Sequence, residues 1–107
     1  MADTSVLNAK DAPVGEDGER LLAAGRDVSL RMWSESPAGT ADKQATTRDY
    51  ETVGYVISGR ARLTLDARDV DLGPGDSWLV PAGAPHSYRV LEAFTAIEAA
   101  SPPTHRR

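Results

Sequence analysis

The stretch at residues 72–90, LGPGDSWLVPAGAPHSYRV, admits very few local structures. Gly73, Pro74 and Gly75 break the chain, five residues follow, and Pro81, Gly83 and Pro85 break it again before His86 heads a second run over 87–91. Glycine and proline clusters punctuate strands, and five apolar or β-prone residues between two such clusters are too few for a stable helix. The spacing therefore predicts two short strands joined by a stiff turn. Pro85 has a fixed φ and biases Ala84 toward an extended backbone, so His86 enters its strand at a defined angle. The turn aims one imidazole.

The same punctuation runs through the rest of the chain. Residues 20–24 read as a strand, 25–27 as a tight turn and 28–33 as a strand continuing to Glu35. Period two sets Val28, Leu30 and Met32 on one face and Ser29, Arg31, Trp33 and Glu35 on the other, where Trp33 needs cover of its own. A β-branched strand over 52–58 closes at Gly59 in a turn. Residues 60–66 alternate, Ala61, Leu63 and Leu65 opposing Arg60, Arg62 and Thr64, and in 69–72 the inward pair is Val70 and Leu72. A last strand over 93–99 carries Phe94 and Ile97, with the facing of Glu98 left open. Residues 36–47 form a long polar loop, and Pro102 and Pro103 end the sheet because neither donates a ladder hydrogen bond. Ahead of residue 19 the mixed polar sequence predicts a loosely held arm over 1–18 with one short strand near 5–9. Roughly eight to ten short strands without a helix are the pattern of an all-β sandwich or barrel. The expected organisation is one barrel domain over 19–101 and a tail over 102–107, with His105 in solvent.

Composition removes several function classes. A chain of 107 residues makes one small domain, and its formal net charge of −4 argues against a nucleic-acid partner, which calls for a basic face. With no cysteine, disulfides, thiolate zinc sites and cysteine nucleophiles are excluded, and there are only 2 histidines to serve a metal. No apolar stretch approaches the ~20 residues of a membrane span, and residues 1–17 hold acids and no apolar signal core. The expected setting is the cytoplasm, without a membrane partner.

Gly75, Pro81, Gly83 and His86 have the spacing of the second motif of the cupin superfamily, which the chain resembles: Gly, five residues, Pro-x-Gly, two residues, His. The Asn usual four residues beyond that His is Val90 here. The resemblance implies a single-domain, RmlC-like jelly-roll β-barrel, in agreement with the periodicity. Glu51, Gly54, Tyr55 and Val56, the RARLTL strand and the Pro-Gly turn further resemble a group of small cupins that includes pectin-degradation proteins linearising unsaturated uronic acids. In cupins a first motif of two His and a Glu or Gln, closed by a Gly, joins the second-motif His around a divalent metal. Here the closing residue is Gly59, and the other three positions fall on Thr46, Arg48 and Thr52. A threonine hydroxyl is a poor substitute for imidazole, and a permanent cation at a ligand position repels a divalent ion. The resemblance therefore implies a degenerate metal site retaining only His86, and no resident cofactor.

The leading expectation is a metal-independent protein that binds a small molecule, with a pocket bounded by Thr46, Arg48, Thr52, His86 and Tyr88. The ligand is a carboxylate or sugar acid if Arg48 points inward. One rival is an isomerase or lyase acting on a sugar acid or carbonyl compound with His86 as acid or base, for which the sequence offers no obvious second titratable partner. Another is a structural or regulatory protein with a filled barrel, in which His86 is a vestige and Arg48 folds outward. Trp78 and Tyr88 either line the pocket or belong to the core and a subunit interface. Asp49 and Glu51 are read as solvated or paired with Arg60 and Arg62. A homodimer is expected, since Trp33 lies on an otherwise polar face and Tyr55 and Ile57 lie opposite Thr52 and Gly54.

Overall fold

The computed structural model describes residues 5–37 and 45–106, so most of the loop expected over 36–47 lies outside the described residues. The strands are β1 (Arg20–Ala24), β2 (Ser29–Glu35), β3 (Glu51–Leu65), β4 (Arg68–Leu72), β5 (Ser77–Val80) and β6 (His86–Ser101). All pairings are antiparallel, in the order β1-β2-β6-β3-β4, with β5 on the free edge of the first half of β3. Among the described residues there is one helical element, a 3-10 turn at Ala9–Asp11, and no helix long and apolar enough to cross a membrane.

Two expected breaks are absent. The predicted turn at Gly59 is a bend inside the 15-residue β3, and the predicted gap near residue 92 lies inside the 16-residue β6. The β3–β6 register slips between Val56 and Ala61, where Gly59 takes a φ of 82°. A Cβ at Gly59 would overlap the Ala93 carbonyl. Bulges bend paired strands without parting them, and that bend turns the long β3–β6 pair across the corner of the barrel. Because β3 and β6 are each continuous, the described residues form six strands rather than eight to ten.

The core is Val56, Ala61, Leu63, Leu72, Val80, Phe94 and Ala96, drawn from β3, β4, β5 and β6. Leu72 is buried as expected, but Val70 is 49% exposed because β4 is an edge strand with no neighbour beyond it. In β2 the alternation holds, with the polar face turned inward: Ser29 is buried, Arg31 and Trp33 line the barrel, and Val28 is exposed. Trp33 therefore faces the cavity of its own barrel.

Both chain ends are tied down more firmly than their composition suggests. The strand expected near 5–9 is replaced by the 3-10 turn, capped by the Asn8 side chain. Arg20 donates to the Ala9 carbonyl, Leu21 N–H to Pro13 and Gly15 N–H to Glu19, so this segment lies along β1. In the tail, Thr104 N–H donates to Ser29 Oγ at 2.8 Å. His105 is not in solvent: its Nε2 lies 2.8 Å from the Leu22 carbonyl, and its Nδ1 is buried without a partner. Asp49 and Glu51 are exposed, but Arg60 and Arg62 pair with Asp71 instead.

Candidate functional site

The barrel encloses an open cavity of about 320 Å³, and Thr46, Arg48, Thr52, His86 and Tyr88 all line it. The local reason is a pair of reciprocal backbone bonds. Thr46 N–H donates to the His86 carbonyl and His86 N–H to the Thr46 carbonyl, both at 2.9 Å. This bridge laces the approach to β3 onto the head of β6, so residues forty positions apart become neighbours. Gly83 N–H donates to the Arg48 carbonyl at 2.7 Å and draws Arg48 to the same turn.

The His86 ring is fixed from two sides. Its Nδ1 lies 3.0 Å from the Ala84 carbonyl. A carbonyl only accepts, so Nδ1 is the donor in this contact. The Tyr88 ring meets the imidazole edge-on with centroids 5.9 Å apart. Arg48 is exposed, and its guanidinium has no hydrogen bond or ion pair among the described residues. Thr52 is buried, 5% exposed, on the inward face of β3.

The other wall of the cavity holds a network centred on Glu98, which is inward-facing and only 3% exposed. Glu98 Oε1 accepts from Arg31 Nε at 3.0 Å and from Trp33 Nε1. Its Oε2 lies 3.4 Å from the Tyr88 hydroxyl, which itself accepts from Trp78 Nε1 at 3.1 Å. The Arg31 guanidinium sits 5.3 Å from the Trp33 ring centroid and 5.8 Å from that of Tyr50, both within cation–π range. Burial works against the Arg31 cation, but the charges and hydrogen bonds of Glu98 and Tyr50 outweigh it and raise its pKa. Burial first, and then the Glu98 carboxylate, push the Tyr88 phenol up, so it stays protonated at any physiological pH. Trp78 reaches the wall only because Gly54 faces it across the β3–β5 ladder, where a Cβ would overlap the indole. Trp78 and Tyr88 thus both line the cavity.

Sequence reasoning left the facing of Glu98 open and placed Arg31 and Trp33 outside the site. A signal was present: Phe94, Ala96, Glu98 and Ala100 share a parity, and register sets Arg31 opposite Glu98. An acid on an otherwise apolar strand face and a cation on the facing strand are a pair to look for.

A metal fits these residues poorly. The positions that hold it in cupins carry two hydroxyls, a guanidinium and one imidazole, and among the described residues no three His, Cys, Asp or Glu side chains cluster. Transition-metal sites of nitrogen and oxygen donors need three or four such ligands.

An all-β fold with an open cavity beside its long strands defines a barrel of the jelly-roll class. The chain belongs to the cupin domain family, whose model matches residues 32–97. It is similar to a quercetin 2,3-dioxygenase of Bacillus subtilis (strain 168), 27% identical over 84 residues, covering 76% of this chain and 25% of that protein. The chain thus spans about a quarter of that relative's length. Among solved structures it resembles an RmlC-like cupin from Shewanella frigidimarina NCIMB 400, with a TM-score of 0.80, 17% identity and coverage of 94% and 92% of the two chains. It also resembles KdgF from a Halomonas species, with a TM-score of 0.72, 23% identity and coverage of 99% and 96%. Those likenesses establish the fold.

Proposed function

We propose that this cupin is a metal-independent binding protein for a small carboxylate, held by Arg48 and His86 at the open side of the barrel. The observation that carries the reading is that Arg48 lines the cavity with no carboxylate partner among the described residues. A guanidinium in that position can take a ligand carboxylate bidentately, and Thr46, Thr52 and His86 supply further hydrogen-bonding groups on the same wall. A volume of about 320 Å³ lies at the lower end of small-molecule sites, which suits a compact ligand.

The test is a thermal-shift screen of small carboxylates and uronic acids, followed by titration of each hit against Arg48→Ala and His86→Ala. A charge-assisted pair is worth about 1.5–3 kcal/mol, so Arg48→Ala is expected to weaken binding roughly ten- to a hundredfold. Hits indifferent to both substitutions would place the ligand elsewhere. A second reading, an isomerase or lyase, has one observation in its favour: the imidazole of His86 and the carboxylate of Glu98 line the same cavity. Turnover of a hit that is lost in His86→Ala would select it.

We further propose that the protein is a homodimer. Val53, Tyr55, Ile57 and Leu79, each between 47% and 53% exposed, form one apolar patch on the outer face of β3 and β5. Such a patch favours burial against a second copy. Light scattering at micromolar concentration is expected to give the dimer mass, and Tyr55→Arg to give a monomer. A monomer mass for the unsubstituted protein would refute the dimer.

A further inference from the structure

The two oxygens of Glu98 are unequally satisfied. Oε1 accepts from Arg31 and Trp33, whereas among the described residues the one hydrogen-bonding contact of Oε2 is the Tyr88 hydroxyl at 3.4 Å, longer than a good O–H···O bond. An ionised carboxylate has about four acceptor sites, and a buried one is costly when they are left unused. Glu98 is 3% exposed yet lines the cavity. A cation is a poor match for the vacant acceptor, because Arg31 already neutralises the carboxylate and repels a second positive charge. An anionic group at that oxygen is excluded by the carboxylate itself, so a ligand's own acid group must lie away from it. What remains is a neutral donor, and the rings of Trp33, Trp78, Tyr88 and Phe94 on the same wall offer apolar faces to the carbon skeleton that carries it.

We propose that Glu98 is a ligand-binding residue whose Oε2 accepts a hydrogen bond from a ligand hydroxyl, so that the cavity selects small hydroxy acids over their deoxy counterparts. The proposal deepens the carboxylate reading: the acid group goes to Arg48 and His86, and the hydroxyl to Glu98. Tyr88 holds the acceptor in place, its own proton turned to Glu98 by the indole N–H that occupies its oxygen. A site built around a buried acceptor rejects an analogue lacking the donor, because the acceptor is then left unpaired.

Three probes of one size test this: mandelate, with hydroxyl and carboxylate; phenylacetate, without the hydroxyl; and benzyl alcohol, without the carboxylate. Calorimetric titration of the unsubstituted protein is expected to show mandelate binding at least tenfold tighter than phenylacetate. In Glu98→Gln the amide oxygen remains with Arg31 and Trp33 and the NH₂ faces the ligand, so the hydroxyl meets a neutral donor in place of a charged acceptor and the ratio is expected to fall several-fold. Should Glu98→Gln fail to fold, a structure of the unsubstituted protein with mandelate decides: its hydroxyl oxygen is expected within hydrogen-bond distance of Glu98 Oε2. Mandelate and benzyl alcohol binding alike, both tighter than phenylacetate, would uphold the Glu98 assignment and discard the carboxylate reading. Mandelate and phenylacetate binding alike, a hydroxyl seated away from Glu98, or no binding by any probe at millimolar concentration would overturn the assignment.

Discussion

The two walls of the cavity are built on opposite principles. Around Glu98, Arg31, Trp33, Trp78 and Tyr88 hold one another through hydrogen bonds across β2, β5 and β6. Around Arg48 the backbone is pinned to the turn at Gly83, while the guanidinium has no protein partner among the described residues. The first wall is buried and its ion pair is compensated from within, so its charges belong to the fold and it leaves only the Glu98 Oε2 acceptor for a ligand. The second is exposed and its guanidinium is unpaired among the described residues, so its charge remains available to a ligand. Stability and carboxylate binding are therefore expected to separate by wall, and substitutions on the two sides can break that division.

The largest effect is expected at Glu98→Ala. Removing one partner of a buried ion pair leaves Arg31 uncompensated, which costs roughly 3–5 kcal/mol. For a domain of this size that is a fall of about 15–30 °C in Tm. Urea and thermal denaturation both measure it. A loss under about 1 kcal/mol would mean that Arg31 finds water or another partner, and that this wall is less closed than its burial indicates.

The contrast also explains what could be read in advance. The fold was legible because Gly-Pro punctuation and period-two alternation are local signals, and the turn before His86 is encoded within a dozen residues. Thr46, Arg48, Thr52 and His86 were traceable through the resemblance to the two cupin motifs, and Tyr88 as an aromatic with a polar tip; all five line the cavity. Glu98 was not, because what makes a carboxylate tolerable inside a barrel is Arg31, 67 residues away, and that pairing exists only after β2 and β6 align. The bend at Gly59 was mistaken for a turn for a related reason. A positive-φ glycine serves either purpose, and the choice depends on the partner strand.

An intermediate effect is expected at Tyr88→Phe. The substitution leaves Trp78 Nε1 without an acceptor and costs on the order of 1 kcal/mol. Its sharper signature is in alkali. Burial and Glu98 raise the folded-state pKa of Tyr88, so its contribution to stability is complete below the unfolded value of about 10 and is lost as pH rises beyond it toward the folded pKa. Between about pH 10 and 11.5 the unsubstituted protein should lose Tm more steeply than Tyr88→Phe. Parallel curves for the two would show that the phenol ionises in the folded protein as readily as in the unfolded chain.

The smallest effect on the fold, and the clearest on binding, is expected at Arg48→Ala. The side chain is exposed and has no ion pair among the described residues, so truncation removes no interaction that folding creates. Substitutions of that kind usually stay within about 0.5 kcal/mol, and Tm should move by no more than a few degrees. The variant then keeps its stability while losing carboxylate affinity roughly ten- to a hundredfold, and the loss should shrink as salt is raised, because an exposed pair is screened. Titrating one carboxylate hit against both proteins at low and high ionic strength, with Tm followed in parallel, separates the outcomes. Loss of stability together with affinity would make Arg48 part of the fold after all, and the division between the two walls would fail at its exposed side.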